Sequence, residues 1–299
     1  MRNLANSSGK LDALSIGAGV AFAMMWASAF TSARVIVHYA PPLTTLSVRF
    51  LVSGLLGVGL AWALGQSWRL TRRQWFATAI FGLCQNALYL GLNFVAMQSV
   101  EASLAAIIAS SMPLIVAIAG WGLSSERLGW FGAAGLLAGI SGVALIMGTR
   151  LSGGADVVGV VLCLLGVLSL ATATLFVQGA SSGGNFLMVV GLQMLVGAMA
   201  LGIVGVASEE MVVDWTWQLV VAFIYTTLVP GLLATLTWFW LVNRVGAVRA
   251  AVFHFLTPFF GVLVAAILLG EAIRGEDLLG VSIITLGILA VQLTKQRAA

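Results

Sequence analysis

Charge is what this sequence has least of. Of 299 residues only 8% are charged while 61% are apolar, and the mean hydropathy is +1.08; soluble domains carry about 25% charged and 45–50% apolar residues. A soluble protein of this length needs a polar shell, and too few polar residues are present to build one, so most of the surface must face lipid. Lysine occurs only as Lys10 and Lys295. No glycine-rich loop followed by a lysine can therefore cradle a nucleotide phosphate, which excludes nucleotide hydrolysis within this chain. The net charge of +4 rests on 14 Lys and Arg scattered through short segments; they form no basic patch, and no nucleic-acid partner is expected. Cys84 and Cys163 sit in apolar stretches without CxxC spacing and read as small hydrophobes. With two histidines, His38 and His254, no HExxH and no carboxylate pair inside an apolar run, little remains for hydrolysis, so no enzyme activity, cofactor or metal is expected.

What is abundant is long apolar sequence. Runs of about 20 residues, the helical length that crosses roughly 30 Å of hydrocarbon, can be drawn at 14–37, 43–65, 73–97, 102–124, 128–148, 156–178, 184–207, 216–241, 247–269 and 276–294. The runs are continuous rather than alternating, which favours helices over barrel strands. The polar stretch Met1 to Asp12 passes into a run too long for a signal peptide and lacks a cleavage site, so it is expected to remain. With ten spans, both ends and the loops after even spans share one compartment. That side collects Arg2, Lys10, Arg69, Arg72, Arg73, Arg127, Arg244, Arg249, Lys295 and Arg297, whereas the other carries Arg150, Arg274 and most of the acids. The positive-inside rule then predicts a multi-pass inner-membrane protein with both termini cytoplasmic.

Sliding the chain on itself by about 145 residues lays Val100 to Pro113 on Val245 to Pro258, then Glu126 on Glu271, Gly135 on Gly280 and Gly142 on Gly287; with a one-residue slip, Arg49 falls on Gln193. Each copy holds five spans, an odd number, so the second must enter the membrane from the opposite side. The predicted fold is all-α: ten transmembrane helices in two inverted five-helix repeats, 1–150 and 151–299. Inverted repeats place a substrate near the midplane and let one cavity face either side in turn. This favours an alternating-access carrier over a channel or an intramembrane enzyme.

The stretch from Glu101 to Met147, its echo beginning at Gly246, Trp26-Ala27-Ser28 and Arg49-Phe50 together resemble the EamA family of the drug/metabolite transporter superfamily, over nearly the whole chain. The resemblance implies ten helices from a duplicated five-helix unit and export of amino acids or related metabolites. Exporters of aromatic amino acids of the YddG type look like the nearest well-defined group, with drug or nucleotide-sugar cargo as alternatives. Leu170 stands where the family usually has tryptophan in span 6.

A solute pathway should leave polar side chains on one helix face. Span 3 offers Gln85, Asn86, Tyr89 and Asn93 at spacings of three and four; the alternative is bonding between helices, worth about 0.6 kcal/mol per contact. Span 1 has Trp26, Ser28 and Thr31, and span 8 has Tyr225, Thr226, Thr227, Trp238 and Trp240. Trp26 and Trp238 lie far enough inside to form a flat wall for a ligand, while Trp75, Trp215 and Trp217 at span ends read as interfacial anchors. His254 is either a substrate or proton-relay group or a core histidine. Arg49, a short way into span 2, needs partners, either a substrate carboxylate or loop carbonyls reached from near the outer face, and the second is the simpler. Pro113, Pro230 and Pro258 interrupt spans at places where a kink could gate. Gly129, Gly132, Gly135, Gly139 and Gly142 permit close packing of span 5, with span 10 through Gly280 and Gly287 as the natural partner; a monomer is expected, though the same stripe would suit a dimer face. Glu126 and Glu271 are expected to cap or orient spans 5 and 10. All ten acids lie in loops or near span ends, which suggests transport without an ion-binding carboxylate.

Overall fold

The computed structural model describes residues 12–123, 130–177, 184–245, 250 and 252–298. Among them there are helices and turns but no strand, as hydrocarbon requires of a chain that does not close into a barrel. The helices are α1 (Ala13–Tyr39), α2 (Pro42–Ala63), α3 (Arg72–Phe81), α4 (Leu90–Ala96), α5 (Ala102–Ala109), α6 (Met112–Leu123), α7 (Trp130–Ser152), α8 (Val157–Val177), α9 (Phe186–Ser208), α10 (Trp217–Thr226), α11 (Ala234–Val245), α12 (Thr257–Leu269) and α13 (Gly275–Ala298). Wider π-helical turns join α3 to α4 (Gly82–Tyr89) and α10 to α11 (Thr227–Leu233), and a 3₁₀ turn, Val252–Leu256, leads into α12. Eight stretches are long and apolar enough to cross a membrane; Thr257–Leu269 is a shorter apolar helix.

Two helix pairs run side by side, α2 with α9 and α7 with α13. Glycine makes both possible. A Cβ on Gly191 would lie 2.7 Å from the Val58 amide nitrogen, and one on Gly287 would lie 2.5 Å from the Gly135 carbonyl oxygen and 2.6 Å from the Gly139 nitrogen. The glycines of span 5 thus meet the helix expected of them, with Gly142 against Gly280; Gly129 lies outside the described residues. The inner helices follow a second pattern: α1 lies against α10, α11 and α12, and α8 against α3, α4, α5 and α6. A shift of about 145 residues carries one set of neighbours onto the other.

Pro113 and Pro258 do not kink continuous helices. Each is the second residue of a new one, α6 or α12, following the Ser110–Ser111 turn or the 3₁₀ turn. A first-turn position costs proline nothing, because its missing N–H would have had no helical acceptor. The hydroxyls of Ser110 and Ser111 bond the Ile107 and Ile108 carbonyls at 2.6 and 2.7 Å, beside the backbone bonds those carbonyls accept from the same two residues.

Several acids cap helices other than their own. The Glu209 carboxylate accepts from the Leu43 and Thr44 amides at 2.7 and 2.8 Å, at the start of α2. Glu271 accepts from the Ala102 and Ser103 amides at 2.8 and 3.0 Å. It therefore caps α5 rather than the helix that follows it, because Gly270 (φ 69°) turns the chain off the end of α12 and toward the free N–H groups of α5. Glu126 lies outside the described residues. Nearby, Asp277, fully buried, pairs with the buried Arg150, which also binds Glu101. At the opposite end of the bundle Asp12 caps α1 through the Ser15 amide and pairs with Arg244 of α11 at 2.6 Å. The Arg244 guanidinium, with Ser15, holds the Asp12 carboxyl well below the usual carboxylate range, so this clamp stays ionised at neutral pH.

Since backbone atoms bound the gap at Gly287, Gly287→Ala must push α13 off α7. It is expected to destabilise the protein by about 1–3 kcal/mol, read as a lower melting temperature in detergent. Gly148→Ala, with nothing within 4 Å of its added carbon, should melt with the unaltered protein.

Candidate functional site

Irregular backbone inside a membrane helix is tolerated where it lines a cavity or packs against protein. Here both π turns flank one cleft. Gln85 and Tyr89 enter it from Gly82–Tyr89, Pro230 from Thr227–Leu233, and Arg49 from α2. Proline has no N–H to donate, so a regular α-helical ladder fails at Pro230 and the wider turn takes its place. Neighbouring hydroxyls absorb local carbonyls: Thr226 and Thr227 donate to the Ala222 and Phe223 oxygens at 2.6 and 2.7 Å.

The cleft is bounded by α1, α2, α4 and α10 as well as the two π turns. Its walls are mainly aromatic, built by Trp26 and Phe30 of α1, Tyr89, and Phe94 of α4; Leu90 and Met97 add aliphatic surface. Gln85, Asn93, Thr226 and Arg49 supply the polar groups, and among the described residues no carboxylate lines it. Asn93 is 1% exposed; its Nδ2 donates to the Tyr89 carbonyl at 2.8 Å and its Oδ1 has no partner.

Two lining residues, Trp26 and Met97, carry contacts that reach beyond the cleft. Toward the Asp12–Arg244 end, Trp26 belongs to a ring cluster with Phe22, Trp238 and His254. Phe22 and Trp238 lie 5.0 Å apart, and the His254 ring stands edge-on 5.0 Å from Phe22, 4.9 Å from Trp238 and 6.0 Å from Trp26. Toward the other end, Arg34 of α1 donates to the Met97 carbonyl at the end of α4.

Of the residues singled out in the sequence, Trp26, Gln85, Tyr89, Asn93 and Pro230 converge on the cleft. Trp238 and His254 are not among the residues that line it; they pack behind Trp26, in the ring cluster with Phe22. Ser28 sits beside it, its hydroxyl 2.7 Å from the Tyr225 hydroxyl, tying α1 to α10. Asn86 turns the other way, its Cβ against Gly197 of α9. Arg49 also lines the cleft and is 6% exposed; among the described residues no hydrogen bond ties it to a loop carbonyl, its Nε is unpartnered, and the guanidinium carbon lies 5.0 Å from the Phe50 ring centroid. Ala29, Phe30 and Ala33 went unnoticed, although with Trp26 they complete an i, i+3, i+4, i+7 stripe that could have revealed them.

A model of the EamA-like transporter family matches residues 13–148 and again 157–293. The chain belongs to the EamA-like transporter family. Two copies of the EamA unit thus fill it, and it is a multi-pass membrane transporter. YvbV of Bacillus subtilis, described as an uncharacterized transporter, is 27% identical over 276 residues, which make up 92% of this chain and 90% of that one. YedA of Escherichia coli K12, described as an uncharacterized inner membrane transporter, is 28% identical over 283 residues, 91% of this chain and 87% of the other. A solved crystal structure with 18% identity superposes with a TM-score of 0.69 over 95% of this chain and 99% of its own, and shares the fold.

For an EamA transporter whose cargo passes this cleft, Tyr89→Ala and Trp238→Ala are expected to lower flux about tenfold, on the scale of one lost buried aromatic contact, with no loss of folded protein in the membrane. Asn86→Ala keeps the carbon that meets Gly197 and should leave flux within about twofold. Proteoliposome flux normalised to folded protein checks all three.

Proposed function

We propose that this transporter exports amino acids, preferentially those with apolar or aromatic side chains, and related small metabolites across the inner membrane by alternating access. The observation that carries this reading is the cleft, with Trp26, Phe30, Tyr89 and Phe94 in its walls, where α1, α2 and α4 of one repeat meet α10 of the other. Aromatic walls suit a flat or apolar side chain, and sites between two repeats suit a carrier.

The working unit in this proposal is ten transmembrane helices in two inverted halves, 1–150 and 151–299. Several features support it. The neighbours of α1 and α8 exchange under a shift of about 145 residues. Residue 230 in one π turn answers to residue 85 in the other. The helix Gly275–Ala298, 24 residues long, is about 36 Å and ample to span. The 3₁₀ turn extends α12 toward a full crossing. Both termini are assigned to the cytoplasm, since arginines gather at the Asp12–Arg244 end and carboxylates at the other. The ring cluster of Phe22, Trp26, Trp238 and His254 then serves as the cytoplasmic closure, Arg34 to Met97 as a tie at the outer end, and the proline-marked breaks at Pro113, Pro230 and Pro258 as hinges between the two states.

Coupling follows from the same wall. Ion-driven carriers hold their ion with an intramembrane carboxylate, and the cleft presents neutral groups and one arginine, so the carrier works by facilitated diffusion or exchange. In proteoliposomes, labelled L-phenylalanine or L-leucine should show saturable flux and counterflow at equal rates with and without an imposed pH gradient. Uphill accumulation driven by protons and lost in His254→Ala would defeat the uncoupled mechanism, and absence of flux for every amino acid tried would defeat the cargo class.

A further inference from the structure

Among the described residues two arginines are buried, Arg49 and Arg150, and they are treated in opposite ways. Arg150, 2% exposed, is met by the carboxylates of Asp277 and Glu101. Arg49, 6% exposed and about two turns into α2, has no carboxylate partner among the described residues, and its Nε donates to nothing. A guanidinium stays protonated in proteins and carries five donors in a rigid fork, and hydrocarbon offers none of the water that would satisfy it. The face of Phe50 gives it only a weak ring contact, 5.0 Å to the centroid. Arg49 lines the cleft, so the missing partner has a place to come from.

A second unpartnered group lines the same cleft. Because Asn93 donates its Nδ2 to the Tyr89 carbonyl, the amide cannot turn over without losing that bond, and Oδ1 is left as a buried acceptor with no hydrogen to receive. One turn beyond Arg49, the fully buried Ser53 hydroxyl also lacks a partner. Gly231 makes room between the helices: a Cβ there would come within 3.3 Å of Arg49 Nη2 and 3.7 Å of Ser53 Oγ.

We infer that Arg49 and Asn93 form the polar end of the binding site, Arg49 taking a substrate carboxylate and Asn93 Oδ1 accepting from the substrate's ammonium group. An α-amino acid carries both groups on adjacent atoms and turns its side chain toward Trp26, Phe30 and Phe94. The pairing disfavours phosphate esters, whose second charge would find no cation here and would face the Asn93 oxygen instead. The inference rests on the transport reading given above and adds to it which atoms of the cargo are read.

The test is equilibrium binding of labelled L-phenylalanine to the full-length protein in detergent, with phenethylamine, which lacks the carboxylate, and 3-phenylpropionate, which lacks the amine, as competitors. Flux of the three compounds is measured in parallel in liposomes. The unaltered protein should prefer L-phenylalanine to either competitor by at least about tenfold. Arg49→Gln should erase the preference over phenethylamine, Arg49→Lys should restore part of it, and Asn93→Leu should erase the preference over 3-phenylpropionate. Should the Arg49 variants fail to fold, the ranking by the unaltered protein decides. Equal binding of phenylalanine and phenethylamine, or no saturable phenylalanine binding, overturns the inference. Flux that ignores the carboxylate leaves the transport reading standing and this assignment defeated, whereas no flux of any of the three tells against the transport reading itself.

Discussion

Hydrocarbon cannot hydrogen-bond, and the rest of this structure follows from that constraint. Every backbone N–H and C=O inside the bilayer must find its partner within the protein, so the chain is committed to helices, and each departure from regular helix has to be absorbed locally. Among the described residues, serine hydroxyls add bonds to carbonyls at the Ser110–Ser111 turn, threonine hydroxyls do so in the turn before the Pro230 segment, and carboxylates from distant loops take the free amides at the starts of α2 and α5. Where two wider turns do persist, at Gly82–Tyr89 and Thr227–Leu233, both border the cleft.

The same constraint governs charge. At the acidic end of the bundle, the buried Asp277–Arg150 pair and the partly exposed Glu101 form a network that joins the starts of α5 and α13 to the end of α7. Removing one member of such a network is more damaging than the net worth of the pair, because it strands a buried charge. The neighbouring Glu271 and Glu209 place their negative charge on helix N-termini, where the backbone dipole favours it. Carboxylates that look like solvated loop residues in the sequence are thus largely structural, and the cleft itself is left with aromatic walls and a few neutral groups around Arg49.

Much of this architecture was legible in the sequence, because hydrophobic length and charge placement act directly on helix formation in lipid. The span boundaries drawn from apolar runs agree with most helices to within a few residues, and the glycine stripe of α7 pointed to α13. The polar face of span 3 led to the cleft through Gln85, Tyr89 and Asn93. What remained hidden depends on rotation and on long-range pairing. Asn86 shares a helix with Tyr89 yet faces Gly197, since the π turn changes which side chains point inward. From sequence Glu271 reads as a cap for the helix that follows it, because nothing in the sequence tells that the chain leaves Gly270 toward α5. For Arg49 the sequence leaves loop carbonyls and a substrate carboxylate both open, and only the packing of α2 against Gly231 brings its guanidinium to the cleft.

The central claim is that one cleft serves both faces of the membrane in turn. Its most direct measurement is side-specific accessibility of a cysteine at position 85. In a Cys84→Ala, Cys163→Ala background carrying Gln85→Cys, a membrane-impermeant maleimide is applied to oriented vesicles from the outside and, separately, from the inside. The account predicts that position 85 is labelled from both sides, that labelling from each side is slowed by saturating L-phenylalanine, and that a control cysteine on the lipid-facing surface is unaffected by the amino acid. Labelling confined to one side whatever amino acid is added, or labelling from both sides that no amino acid slows, would contradict it.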